Sequence, residues 1–169
     1  NIGEAHLENF DNMHGILKAK SEIIENINKD GYLIINGDDK YFNYLSKLAK
    51  KRKINVLSFG KSNKSDAKLV KNKLYENYNE LHFKVLKKNI YLRVKNINSL
   101  IVSNILFTLL TLHVLDLDLT RIKNFLNYFK LTDGRGKTHP VLRYKKKFQL
   151  IDESYNANPS SVKNAINNF

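Results

Sequence analysis

At 169 residues and without a single cysteine, the chain can hold one sizeable core, or one domain and a piece of the next, but neither a disulfide scaffold nor a thiolate metal site. A hydrophobic share of 42% with 11% aromatics places it outside the disordered class. The formal charge of +13 and pI near 9.8 would suit a polyanion, yet the lysines are scattered over the whole length and the aromatics do not alternate with them along the chain, so no nucleic-acid partner is expected.

The chain opens on a polar stretch, Asn1 to Phe10, with no charged segment leading into an apolar one. Together with the lack of cysteine this gives the expectation of a cytoplasmic protein. Ile16, Ala19, Ile23 and Ile27 recur at near-helical spacing and predict a helix over Met13 to Ile27, stopped by Gly31. Tyr32 to Asn36 reads as a short buried strand. Gly37-Asp38-Asp39 then supplies a turn and a cap for a helix from Lys40 to Lys51, and Ile54 to Phe59 gives a second strand. Strand, helix, strand in that order argues for an α/β fold with a parallel sheet covered by helices.

From Ser65 to Lys95 the pattern becomes β-rich. Runs over Lys68 to Tyr75, Leu81 to Leu86 and Ile90 to Val94, with turns at Glu76 to Glu80 and Lys87 to Asn89, predict an antiparallel meander. Helical patterns return over Asn98 to Val114 and Leu119 to Phe129. The apolar stretch from Leu100 to Leu117 is interrupted by Ser103, Asn104, Thr108, Thr111, His113 and Asp116, which predicts a buried helix and no membrane insertion. Leu131 to Thr138 is a glycine-rich connector and marks a boundary between units 1–132 and 133–169. Strands over Val141 to Tyr144 and Phe148 to Ile151, and a helix over Ser161 to Phe169, complete the second unit.

Phosphate-binding loops of the G-x-x-x-x-G-K-[ST] type need an early glycine so that backbone amides can surround the phosphates. Gly60-Lys61-Ser62 has Asn55 at that position and Gly136-Lys137-Thr138 has Leu131, so both read as ordinary turns. His6, between Glu4 and Glu8, could offer an imidazole and carboxylates to a divalent cation or could be a surface hydrogen-bonding group. Asn36-Gly37-Asp38-Asp39 is either a ligand-facing strand end or a turn with a cap. Arg135, between Gly134 and Gly136, has the planar fork that suits phosphate, or belongs to a flexible linker. Asp152-Glu153-Ser154-Tyr155-Asn156-Ala157-Asn158-Pro159 puts carboxylate, hydroxyl and amide groups just past a strand, where α/β proteins place ligands.

The opening stretch and the Asp152 to Pro159 signature together resemble the Mur ligases of cell-wall synthesis. The second matches the family's Asp-Asp-Ser-Tyr-Asn-Ala-Asn-Pro motif except for Glu153 in the second acidic place. The resemblance implies ATP and Mg2+ as cofactors, with His6 and a carbamylated Lys20, in the matching segment Gly15 to Ile23, serving the magnesium. It implies that Asn36, Asn104, Arg135 and Glu153 face the nucleotide, while Tyr155 and Asn156 line the closing domain interface. The family's histidine four positions before Asn104 is here Leu100.

By the same resemblance, the first unit is the later part of a central ATP-binding domain and the second is the start of a Rossmann-like C-terminal domain. The family's phosphate loop and the strand carrying its catalytic glutamate are expected upstream of Asn1, and most of the C-terminal domain beyond Phe169. The implied reaction joins D-alanyl-D-alanine to UDP-N-acetylmuramoyl-tripeptide through an acyl phosphate, in a protein monomeric at full length. The 169-residue piece is expected to be inactive by itself. A sibling ligase adding another amino acid, and a basic nucleic-acid-binding module, are the alternatives.

Overall fold

The computed structural model describes residues 2, 10, 12–95, 99–128, 132–155, 157 and 159–167. Helix α1 (Met13–Ser21) starts where the Asn12 side-chain oxygen accepts from the amides of His14 (2.9 Å) and Gly15 (3.1 Å). The α-helix is shorter than the predicted run to Ile27. The α-helix stops at Ser21, whose hydroxyl donates back to the Lys18 carbonyl at 2.7 Å, and a 3-10 segment, Glu22–Asn26, continues the path and buries Ile24.

Strand β1 (Tyr32–Asn36) leads through α2 (Phe42–Lys51) to β2 (Asn55–Phe59), and the two strands pair in parallel. The expected helix start at Lys40 moves to Phe42, because Asp39 is used in the turn before it. Strand β3 (Ala67–Leu74) joins β2 through one parallel pair, Phe59 with Ala67, and then continues beyond the end of β2. It is followed antiparallel by β4 (Tyr78–Val85) and β5 (Lys88–Lys95), giving a five-stranded mixed sheet in sequence order. The β4 to β5 turn falls one residue earlier than predicted, on Leu86 and Lys87, with Leu86 in the left-handed region at φ 53°.

Side-chain alternation along the strands sorts the apolar residues into two cores. Leu33, Ile35 and Val56 face α1 and α2, where Leu17, Ile24, Leu45, Ala49 and Ile54 are buried. Ile34, Leu57 and Phe59 face the other way, with Leu81, Phe83 and Val85 of β4 and Ile90, Leu92 and Val94 of β5. Helix α3 (Ser99–Val114) closes that side through Ile105, Leu106, Leu109 and Leu110, and α4 (Arg121–Tyr128) adds Ile122. The apolar stretch thus forms a helix over the sheet that is buried on one face only, with Phe107 exposed on the other and Leu115 and Leu117 exposed beyond its end. No helix among the described residues is long and apolar enough to cross a membrane.

After the connector, β6 (Lys137–Arg143) and β7 (Lys146–Asp152) form a separate two-stranded sheet, and α5 (Pro159–Asn167) begins on proline, which has no amide to leave unpaired there. Both strands run longer than the sequence pattern predicts. They meet at a two-residue turn, Tyr144-Lys145, in which both residues have positive φ.

Candidate active site

The carboxyl ends of β1 and β2 are held together by backbone and carboxylate groups. The Gly37 amide donates to the Phe59 carbonyl at 2.7 Å. Both Asp38 carboxylate oxygens accept from the Lys61 amide, at 2.8 and 3.1 Å. That carboxylate lies so near Gly60 that a Cβ there would stand 2.8 Å from it, so a side chain at this position would displace Asp38. The Asn36 side-chain oxygen accepts from the Asp38 amide at 2.9 Å.

Asp39 bridges two segments. One of its oxygens accepts from the Tyr41 amide at 2.9 Å and the other from the Ile2 amide at 2.8 Å, and Ile2 packs against the α1 and α2 core. The opening of the chain is thereby tied to the end of β1, the place at which an α/β sheet receives ligands. His6 lies outside the described residues.

Gly60-Lys61-Ser62 is the start of the β2 to β3 connection. The Lys61 amide is taken by Asp38, the Ser62 hydroxyl accepts from the Lys64 amide at 3.2 Å, and the Asp66 carboxylate accepts from both the Ser58 amide and hydroxyl at 2.8 Å. With these groups paired inside the protein, the segment is a turn and not a phosphate cradle, as its missing early glycine predicts.

A second constellation gathers at the connector. Asp152 accepts from the Gly134 amide at 3.0 Å, and from the Ser154 amide at 3.1 Å and hydroxyl at 2.6 Å. These bonds, those from Ser154 foremost, hold its carboxyl below the usual aspartate range. The Gly136 amide donates to the Asp152 carbonyl at 2.7 Å and the Tyr155 amide to the Gly134 carbonyl at 3.2 Å. Gly134 is at φ +74° and buried against Tyr155: a Cβ would come within 2.7 Å of the Tyr155 Cβ and backbone nitrogen. The result sets the Arg135 guanidinium 4.5 Å from the Tyr155 ring centroid, both side chains being exposed. Glu153 sits half-buried in the same turn. Asn156 lies outside the described residues.

Arg135, Glu153 and Tyr155 are therefore brought together, whereas the other expected site residues stand on separate elements. Lys20 is exposed in the last turn of α1, Asn36 ends β1, and Asn104 is exposed on α3 beside the buried Ile105. Sequence reasoning passed over Asp39 as a tether and Asp152 as a clip. The signal for the second was present, since an aspartate two residues before a serine is the spacing of a side-chain turn.

The donor set for a metal is incomplete among the described residues. No group of three His, Asp or Glu side chains converges there, and Asp38 and Asp39 already accept from backbone amides.

Residues 1–112 match the Mur ligase middle domain, and the chain belongs to the Mur ligase family. It is 33% identical over 167 residues to the UDP-N-acetylmuramoyl-tripeptide--D-alanyl-D-alanine ligase of Rickettsia prowazekii, a match covering 98% of this chain and 36% of that protein. Among solved structures it resembles MurF from Acinetobacter baumannii, with 25% identity and TM-score 0.80 over 96% of this chain and 34% of the other. It likewise resembles the MurF ligase of Thermotoga maritima in complex with ADP, with 27% identity and TM-score 0.78 over 99% of this chain and 37% of that one. The chain thus spans about a third of the length of the relatives it matches.

Proposed function

We propose that this chain is the later part of the central domain, residues 1–132, and the start of the C-terminal domain, residues 133–169, of a ligase that joins D-alanyl-D-alanine to UDP-N-acetylmuramoyl-tripeptide. The observation that carries the reading is the clip between Gly134-Arg135-Gly136 and Asp152-Glu153-Ser154-Tyr155. It lies past the end of the family match at residue 112 but inside the 167-residue match to the tripeptide ligase. A sibling ligase is the second reading, since a match of 31% to a UDP-N-acetylmuramoylalanine--D-glutamate ligase spans the same 98% of the chain.

In this reading ATP phosphorylates the terminal carboxylate of the tripeptide. The dipeptide amine then attacks the acyl phosphate, forming the amide and releasing phosphate, so that ADP and phosphate leave. Arg135, permanently charged and oriented by its contact with Tyr155, meets the nucleotide's phosphates. Glu153, Asn36 and Asn104 contribute polar contacts to the nucleotide, and Tyr155 and Asn156 line the interface that closes over it. The Gly134 to Gly136 segment is the hinge of that closure, which excludes water from the acyl phosphate. His6 and Lys20, the latter once carbamylated and so converted from a cation to a carboxylate-like ligand, would hold a magnesium ion, which would neutralise phosphate charge. The protein works in the cytoplasm as a monomer.

The test is ADP release by the complete polypeptide carrying this sequence, given UDP-N-acetylmuramoyl-tripeptide and D-alanyl-D-alanine singly and together. Release that requires both supports the reading, and Lys20→Ala should then lower it sharply. Folded protein that releases no ADP with any combination overturns it. The 169-residue chain alone contains no complete phosphate loop and should turn over no ATP.

A further inference from the structure

The antiparallel part of the sheet has a second face, opposite the α3 and α4 core, on which no helix packs among the described residues. The register determines what stands on it. Lys73 of β3, Glu80 of β4 and Arg93 of β5 lie in one cross-strand row, and Lys71, His82 and Tyr91 form the next. Tyr78 faces Lys95 in the row on one side, while Lys68, Lys84 and Asn89 make the row on the other. Since alternate residues share a face, these four rows are one surface. It carries six cations (Lys68, Lys71, Lys73, Lys84, Arg93 and Lys95), three aromatic or imidazole rings and one acid, Glu80, which Arg93 already pairs at 2.9 Å.

The rings and cations are interleaved rather than merely adjacent. His82 stacks on Tyr91 with centroids 4.4 Å apart and 13° between planes. Tyr78 stacks on Tyr75, from the turn between β3 and β4, at 4.6 Å and 16°. Arg93 lies 4.6 Å over Tyr78, and Lys73 lies 5.6 Å over Tyr75. Tyr91 is 62% exposed, so one of its ring faces remains open after stacking on His82. An open groove of about 710 Å³ is lined by Lys71, Lys73, His82, Tyr91 and Arg93 of these rows, and its lining also takes in Leu81 and Leu92 of the core and Lys123 of α4.

A surface with six cations against one acid that is already paired, and with an exposed ring at Tyr91, matches a chain of phosphates bearing flat bases better than it matches protein or lipid. Phosphates fit the cations and bases stack on the rings, with little dependence on sequence. We propose that this face of β3–β5 binds single-stranded nucleic acid. The net charge alone suits a polyanion without placing it, whereas the alternation of rings and cations exists only across the strands. The proposal is independent of the ligase reading, since it uses none of the residues placed in the candidate active site.

The experiment is fluorescence anisotropy of a labelled mixed-sequence single-stranded decanucleotide against the full 169-residue chain at several salt concentrations. Four proteins are compared: the parent, Lys71→Ala with Lys73→Ala, Tyr91→Ala, and a control carrying Lys50→Ala with Lys51→Ala on the exposed side of α2. The pair on β3 should weaken binding by about tenfold and flatten the dependence of log K on log salt by about 1.4. Tyr91→Ala should weaken it by at least about fivefold with the salt dependence unchanged. The α2 control should stay within about twofold of the parent.

Circular dichroism and melting of each variant establish that these exposed substitutions leave the fold intact. Equal loss in the α2 control would reduce the effect to net charge and overturn the proposal. Unchanged binding in both β3–β5 variants would do so as well. Competition by free AMP at the affinity of the oligonucleotide would replace it with a small-ligand site.

Discussion

Substituting Gly134 by alanine is the most direct test of how the connector is built. At φ +74° an L side chain costs about 1–2 kcal/mol in backbone strain. In addition, the new Cβ would lie 2.7 Å from the Tyr155 Cβ and nitrogen and 3.0 Å from its Cα, so Tyr155 must retreat by several tenths of an ångström. Against this stand the Tyr155 amide bond to the Gly134 carbonyl, a net contribution of about 1 kcal/mol, and the Arg135 contact with the Tyr155 ring, about 0.5–1 kcal/mol at an exposed site. Strain and overlap together match or exceed these terms, so the clip should open. Amide hydrogen exchange at Gly136 and Tyr155 should accelerate by about tenfold or more, while the amides of β4 and β5 keep their protection, because neither β6 nor β7 contributes to the two cores. Gly134→Asn separates the causes. Asparagine tolerates positive φ but still carries a Cβ, so an opening as large as that of alanine assigns the effect to the contact with Tyr155. Unchanged exchange at both amides in Gly134→Ala would refute the reasoning.

Three further outcomes are expected. Leu109→Ala removes a side chain with no exposed surface from the α3 layer and should cost about 3 kcal/mol in urea unfolding; a loss below about 1 kcal/mol would mean that α3 does not close this core. Asn79, 2% exposed, donates to the Asn72 side chain but leaves its own oxygen without a partner, so Asn79→Val should leave the melting temperature unchanged or raise it, and a drop of several degrees would show that the amide is satisfied. Asp152 has a folded-state pKa below its ordinary value, so its contribution to the clip is complete above that ordinary value, about 4, and is lost as pH falls through the folded one. Exchange at Gly134 and Ser154, corrected for intrinsic rates, should accordingly stay level from pH 7 to 5 and rise only below pH 4; a rise already complete at pH 5 would refute the role of Asp152.

Local chemistry made much of this chain legible before folding. The apolar spacing of α1, the strand character of Tyr32–Asn36 and Asn55–Phe59, and the antiparallel run from Ala67 to Lys95 all follow from periodicity. The two helix boundaries that shifted did so at short-range side-chain bonds, Ser21 donating back to the Lys18 carbonyl and Asp39 accepting from the Tyr41 amide, which periodicity of apolar residues does not register. The signature Asp152 to Pro159 and the motif Gly134 to Gly136 could each be read as polar stretches beside glycine or proline. Their being one structure could not, since Gly134 and Asp152 are joined only by a hairpin whose turn, Tyr144-Lys145, carries no glycine or asparagine to announce it.

Composition and motif order were enough to give the α/β class and the likeness to the Mur ligases, because those properties reside in residue type and spacing along one dimension. Tertiary structure alone decided that Asp39 ties Ile2 to the end of β1, that Arg135 rests on Tyr155, and that lysines and tyrosines scattered along the chain become one surface on β3–β5. The physical reason is the same in each case. A hydrogen bond or ring contact needs two groups within a few ångströms, and strand register, not sequence separation, sets which groups those are.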